Sequence, residues 1–163
     1  MLLLSLSYFI HLLGTVIWLG GLAFLAIVAA PALRQRAVTL AQWLGWQKRL
    51  APWIQGSLLV LLISGFVQMT NDGHYAGFLV LDGVWAWAML LKHIAFVALV
   101  GVTGYQQWWV WPEMERLALL AAKRPNLAAE EEAKLQQQEL RLLWLNVGCA
   151  GLVLLFTAVA TAV

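Results

Sequence analysis

Apolar residues fill this chain in four blocks, and nearly all of its charge is gathered between them. The first block runs from about Leu3 to Ala30 without a single Lys, Arg, Asp or Glu, and His11 is its one strongly polar side chain. The second covers about Ala51 to Thr70. The third runs from about Val84 to Trp111, interrupted by Lys92 and His93, and the fourth from about Leu142 to Val163. Helices of about 20 apolar residues match the hydrocarbon thickness of a bilayer. In hydrocarbon every backbone N–H and C=O must be paired within the segment, which makes a helix the economical solution. The pattern predicts an all-α protein: a four-transmembrane-helix bundle with helices over about 3–30, 51–70, 84–111 and 142–163. No linker, repeat or low-complexity tract divides residues 1–163, so a single integral membrane domain is expected. The first block has no basic residue before His11 and is longer than a signal-peptide core, so it is expected to remain as a helix.

The polar stretches set the expected orientation. The first loop carries Arg34, Arg36, Lys48 and Arg49, and the third carries Arg116, Lys123, Arg124, Lys134 and Arg141. The second, residues 71–83, has no Lys or Arg but contains Asp72, His74 and Asp82. Basic loops stay in the cytoplasm, so both termini and the second loop are expected outside, in a bacterial plasma membrane. Aromatic belts follow the same division. Trp43, Trp46, Trp53, Trp108, Trp109, Trp111 and Trp144 fall at the inner interface; Tyr8, Phe9, Tyr75, Phe78, Trp85 and Trp87 fall at the outer one. Within the third loop, Pro125-Asn126 reads as a stop and a new start, followed by acids in the first turns of a helix. Glu130 and Lys134 have the favourable i,i+4 order. Helices three and four are therefore expected to extend as a cytoplasmic helical hairpin over about 112–141. That hairpin is a solvated, charge-laced extension or a docking surface for partner subunits or a second copy.

Composition agrees and removes other classes. Hydrophobic residues make up 63% of the chain and charged residues 11%, against about 45–50% and 25% in soluble domains. A soluble core of 163 residues could not hide that surface, and disorder needs the opposite composition. A net charge of +2 argues against nucleic-acid binding and leaves the lipid bilayer as the expected partner. The lone Cys149 excludes a disulfide framework and a Cys-rich zinc site.

The chemistry is expected where ionisable groups enter the apolar blocks, because such groups are costly there unless they face the bundle interior. His11, Lys92 and His93 all lie ~12–14 Å below the outer ends of their helices at 1.5 Å per residue. His11, Gly14, Trp18 and Gly21 share one helix face, and the glycines permit close approach of a helix or a flat cofactor. Lys92 and His93 are turned ~100° apart on helix three, so they are not expected to aim at one point, though either can border a common cavity. Two histidines at one depth suggest bis-imidazole ligation of haem b, with Lys92 as a propionate partner or proton donor. Copper is the competitor: Cu(I) favours soft ligands, and Met89 lies four residues before His93. Asn146, Gln68, Ser64 and Thr103 read as interhelical hydrogen-bond partners, Cys149 as packing, Met69 as core filling, and the second loop as solvated. No P-loop, G-x-S-x-G, H-E-x-x-H or C-x-x-C motif occurs.

The segment His11-Leu-Leu-Gly-Thr-Val-Ile-Trp18-Leu-Gly-Gly21-Leu-Ala-Phe24-Leu, continuing to Pro31-Ala-Leu-Arg34, resembles the first helix of the copper-resistance D (CopD) family. It is also similar to the opening of the related HemJ-type protoporphyrinogen oxidases, and the stretch around Lys92 resembles their lysine-bearing helix. The resemblance implies copper uptake or tolerance in the first case and haem-dependent porphyrinogen oxidation in the second, with His11 and Lys92 as the essential residues. His93 beside the lysine departs from the second group. Whether the protein is an enzyme stays open at this point. Its expected function is metal handling or membrane redox chemistry at a haem b or copper site between helices one and three. The alternatives are copper uptake without haem, porphyrinogen oxidation, and a non-catalytic structural subunit of a larger membrane complex.

Overall fold

The computed structural model describes residues 2–75, 77, 80–121 and 125–163. Among these the chain is entirely helical between its loops. Helix α1 (Leu2–Ala23) passes through a π-helical turn (Phe24–Ala29) into α2 (Ala30–Arg34), and α3 covers Leu40–Thr70. Helix α4 (Gly83–Tyr105) passes through a second π turn (Gln106–Val110) into α5 (Trp111–Ala121), and α6 covers Pro125–Thr161. Four stretches are long and apolar enough to cross a membrane: Leu2–Arg34, Leu40–Thr70, Gly83–Leu120 and Glu130–Thr161. Only 22–28% of the most apolar window of each is buried. Side chains such as Val16, Ile63, Val97 and Leu155 therefore face outward, as a lipid bilayer requires and water does not.

The helices are longer than their apolar blocks. Helix α3 begins at Leu40 rather than near residue 51 because Thr39 and Gln42 form a capping box, with the Gln42 N–H donating to Thr39 Oγ1 at 3.2 Å and the Thr39 N–H to Gln42 Oε1 at 2.8 Å. Hydropathy has no access to that signal. Each π turn lies just before a proline, Pro31 or Pro112. Proline removes an i→i−4 hydrogen bond and crowds the preceding turn, and a wider turn relieves both effects. Helix α6 starts at Pro125, where the sequence places its start signal, and the Glu130–Lys134 pair forms at 2.8 Å. Lys123, Arg124 and Phe78 lie outside the described residues.

The bundle is built from two antiparallel pairs, α1 on α3 and α4 on α6. Gly21 of α1 stands against Ile54 of α3, where an added Cβ would meet the Ile54 side chain at 3.0 Å, and Gly14 stands against Leu61. Gly20 faces open space. The α5 extension packs on α6, with Met114 and Leu117 buried, and Lys48 of α3 pairs with Glu115 of α5. Of the two expected aromatic belts, Trp53, Trp108, Trp109, Trp144, Tyr8, Phe9 and Trp87 face outward. Trp43 and Trp85 are buried instead: Trp43 gives its indole N–H to Glu139, and Trp85 packs with Met69.

Candidate functional site between the helix pairs

His11 is fixed by the pairing of α1 with α3. The Ser64 hydroxyl donates to the Val60 carbonyl at 2.6 Å, so its oxygen accepts from His11 Nδ1–H at 2.8 Å. Ser7 and Gln68 reinforce the same contact, the Ser7 hydroxyl donating to the Ser64 carbonyl and Gln68 Nε2 to the Ser7 carbonyl, each at 3.3 Å. His93 is fixed within α4, its Nδ1–H donating to the Met89 carbonyl at 2.6 Å. In both rings the Nδ1 bond leaves Nε2 as the nitrogen with a free lone pair. That is the tautomer a metal-ligating histidine uses, with its second nitrogen held by a fixed acceptor.

These two histidines border one cavity of about 210 Å³. All four long helices line it: His11, Thr15 and Trp18 from α1, Leu61 and Gly65 from α3, Met89, Lys92, His93 and Phe96 from α4, and Val153 and Thr157 from α6. Leu12, Leu62 and Leu154 also line it while being exposed, so the cavity reaches the outer, apolar surface of the bundle. Lys92 and His93 both take part despite their angular separation, because the cavity spans the edge of α4 rather than one point on it. Lys92 is within Coulombic reach of His11 but has no hydrogen bond or ion pair among the described residues. Gly14 and Gly21 do not line the cavity; their near neighbours are on α3. A smaller chamber of about 140 Å³, bordered by Met69, Tyr75 and Trp85, shares Met89 and His93 with it.

Other polar residues divide by the structure. Ser64, Gln68 and Asn146 join helices, while Thr103 bonds only the Leu99 carbonyl of its own helix at 2.9 Å. Cys149 packs on the core. In the second loop the His74 N–H donates to Asp72 at 2.9 Å and holds that carboxyl below the usual range. Among the described residues no three His, Cys, Asp or Glu side chains are grouped to hold a metal ion, so a metal here would need Met89, a porphyrin or another donor.

Glu139 lies within the stretch expected to form the charge-laced hairpin, about 112–141, yet it is fully buried. Its Oε2 accepts from Gln47 Nε2 at 2.9 Å, Trp43 Nε1 at 3.3 Å and Gln106 Nε2 at 3.4 Å. The periodicity of α6 carried the signal: Leu135, Glu139, Leu143, Asn146, Ala150 and Val153 recur at three- and four-residue steps and share one face. Comparison of the chain with protein-family models, curated proteins and solved structures found no match.

Proposed function

We propose that this is a CopD-like membrane redox protein that holds haem b between its two helix pairs, where His11 and His93 would supply the imidazoles that hold it. One observation carries the proposal: two imidazoles from different helix pairs, each with Nδ1 tied to a fixed acceptor and Nε2 free, border one cavity. The donor chemistry fits the group. Bis-imidazole ligation needs two neutral rings, the walls are apolar, and exposed Leu12, Leu62 and Leu154 let a macrocycle larger than the cavity extend toward lipid. Haem b would supply one-electron chemistry there. The chain's own residues orient the ligand rings, exclude water with Trp18 and Phe96, and offer Lys92 as a cation for a propionate. The distribution of basic loops supports an orientation with the His11 end of the bundle toward the outside.

A second reading has its own observation: the Met89 thioether lines the same cavity as both imidazoles, a donor set suited to Cu(I). An optical spectrum of the purified protein with metal analysis separates the two. A Soret band lost in His11→Ala and in His93→Ala is the expected result. Bound copper without a Soret band, released by Met89→Ala, supports copper handling instead. Neither group, together with stoichiometric co-purification of other subunits, sinks both and leaves a structural subunit.

A further inference from the structure

The polar cluster around Glu139, at the opposite end of the bundle from the second loop, does not balance its own hydrogen bonds. Three N–H groups converge on Glu139 Oε2, while Oε1 has no partner. Gln47 Oε1 and Asn146 Oδ1 are also buried without a donor, and Trp111 Nε1 is buried without an acceptor. Asn146 Nδ2 donates to Gln106 Oε1 at 3.0 Å, so Gln106 links Glu139 and Asn146, the two buried polar side chains described on α6. Buried polar groups in native proteins almost always find partners, and four orphans in one cluster call for a common cause.

The charge state is part of that cause. In a carboxylate both oxygens share the charge and both attract donors; in a carboxylic acid the carbonyl oxygen accepts and the hydroxyl must donate. Three donors on Oε2 fit either state, but an Oε1 that no donor approaches fits the hydroxyl of the acid. The side chains that hydrogen-bond to Glu139, Trp43 and Gln47 from α3 and Gln106 from the second π turn, are uncharged. Lys48 and Arg49 on α3, Arg34 on α2, and Glu113, Glu115 and Arg116 on α5 are all exposed. No described cation lies within ion-pair distance of Glu139, whereas Lys48 pairs with Glu115, and Arg116 with Glu113 and Glu131.

Beside the cluster is a cavity of about 50 Å³ lined by Gln47, Gln106, Trp111 and Asn146, with Trp18 on its wall and Glu139 just behind Gln47 and Gln106. Trp18 also borders the His11–His93 cavity. A space of this size admits water, and its lining supplies the several polar partners that a buried water needs.

We propose that Glu139 is a proton-binding site: a neutral acid with its proton on Oε1, linked to the orphaned oxygens of Gln47 and Asn146 by water at the edge of this cavity. The count then closes. With the proton on Oε1 the four orphans are two donors, Glu139 O–H and Trp111 N–H, and two acceptors, Gln47 Oε1 and Asn146 Oδ1, which water can bridge. An ionised Glu139 would make them three acceptors and one donor. A bound metal cation would leave the Trp111 N–H with nothing to donate to. The fold thus holds an exchangeable proton one tryptophan away from the larger cavity, whatever occupies that cavity.

Infrared and solid-state NMR spectra of the full chain in lipid bilayers test this. At neutral pH, wild-type protein is expected to show a protonated-acid carbonyl band that is absent from Glu139→Gln and shifts in D2O. Gln138-Glu139 is the one Gln-Glu step in the sequence, so paired Gln and Glu isotope labelling identifies the same carboxyl in wild-type protein even if the variant does not assemble. Trp111→Phe keeps an aromatic ring but removes the N–H, and is expected to slow the D2O shift severalfold. A carboxylate signature at neutral pH, with or without dependence on sodium or potassium, overturns the proposal. So does an acid band that persists in Glu139→Gln, never shifts in D2O, or exchanges at an unchanged rate in Trp111→Phe.

Discussion

A lysine near the middle of a membrane span costs about 2.5–3.5 kcal/mol on insertion scales unless something answers its charge. Lys92 lines the cavity with no acceptor among the described residues, and under the proposed function its complement is an anionic group brought by the ligand. For haem that group is a propionate. Lys92→Met is expected to weaken haemin binding by about tenfold, or 1.4 kcal/mol, while Lys92→Arg keeps most of the affinity. Haemin titration of the purified apoprotein reads both, and Lys92→Met binding as tightly as wild type removes the lysine from the site. His11, Lys92 and His93 were legible because a polar side chain stands out in an apolar run. Glu139 was not, because it lies in the charged stretch from Glu130 to Arg141, where one more acid looks solvated. Only its register with Leu143, Asn146 and Ala150 marks it as buried, and that register appears when the fourth helix is extended below the apolar block.

At the scale of the elements, hydropathy located four helices but not their ends, since local hydrogen bonds decide where a helix stops. Thr39 is the clearest case. Its reciprocal bonds with Gln42 start α3 in a polar stretch that no apolar window includes. Thr39→Ala is expected to destabilise the protein by about 1 kcal/mol, within the usual 0.5–2 kcal/mol for a lost cap, and Thr39→Ser to retain most of it. Unfolding in a single detergent compares the two; an alanine variant as stable as the serine variant would show that α3 does not depend on its cap. The π turns were legible only in part. Pro31 and Pro112 signal a disturbed helix, but whether the chain kinks, breaks or widens depends on tertiary packing. Here the widened turn carries Gln106 on the buried side, against Glu139 and Asn146.

For the molecule as a whole, the division into α1–α3 and α4–α6 pairs decides what a ligand can do. His11 belongs to one pair and His93 to the other, so a group bound to both would tie the pairs together. A ligand that binds only the folded protein stabilises it by RT ln(1 + [L]/Kd), about 2.7 kcal/mol at a free concentration one hundred times Kd. Haemin is therefore expected to raise the unfolding temperature of the apoprotein in detergent. His11→Ala and His93→Ala are each expected to lose most of that gain, and the double variant to lose little more, because two residues that hold one group act as a unit and their effects do not add. An equal rise in wild type and double variant would mean that haemin binds elsewhere, on the exposed apolar surface. A rise lost in His93→Ala but kept in His11→Ala would place the ligand on α4 alone. The proposed bridge fails on either result, since it requires a contribution from each pair.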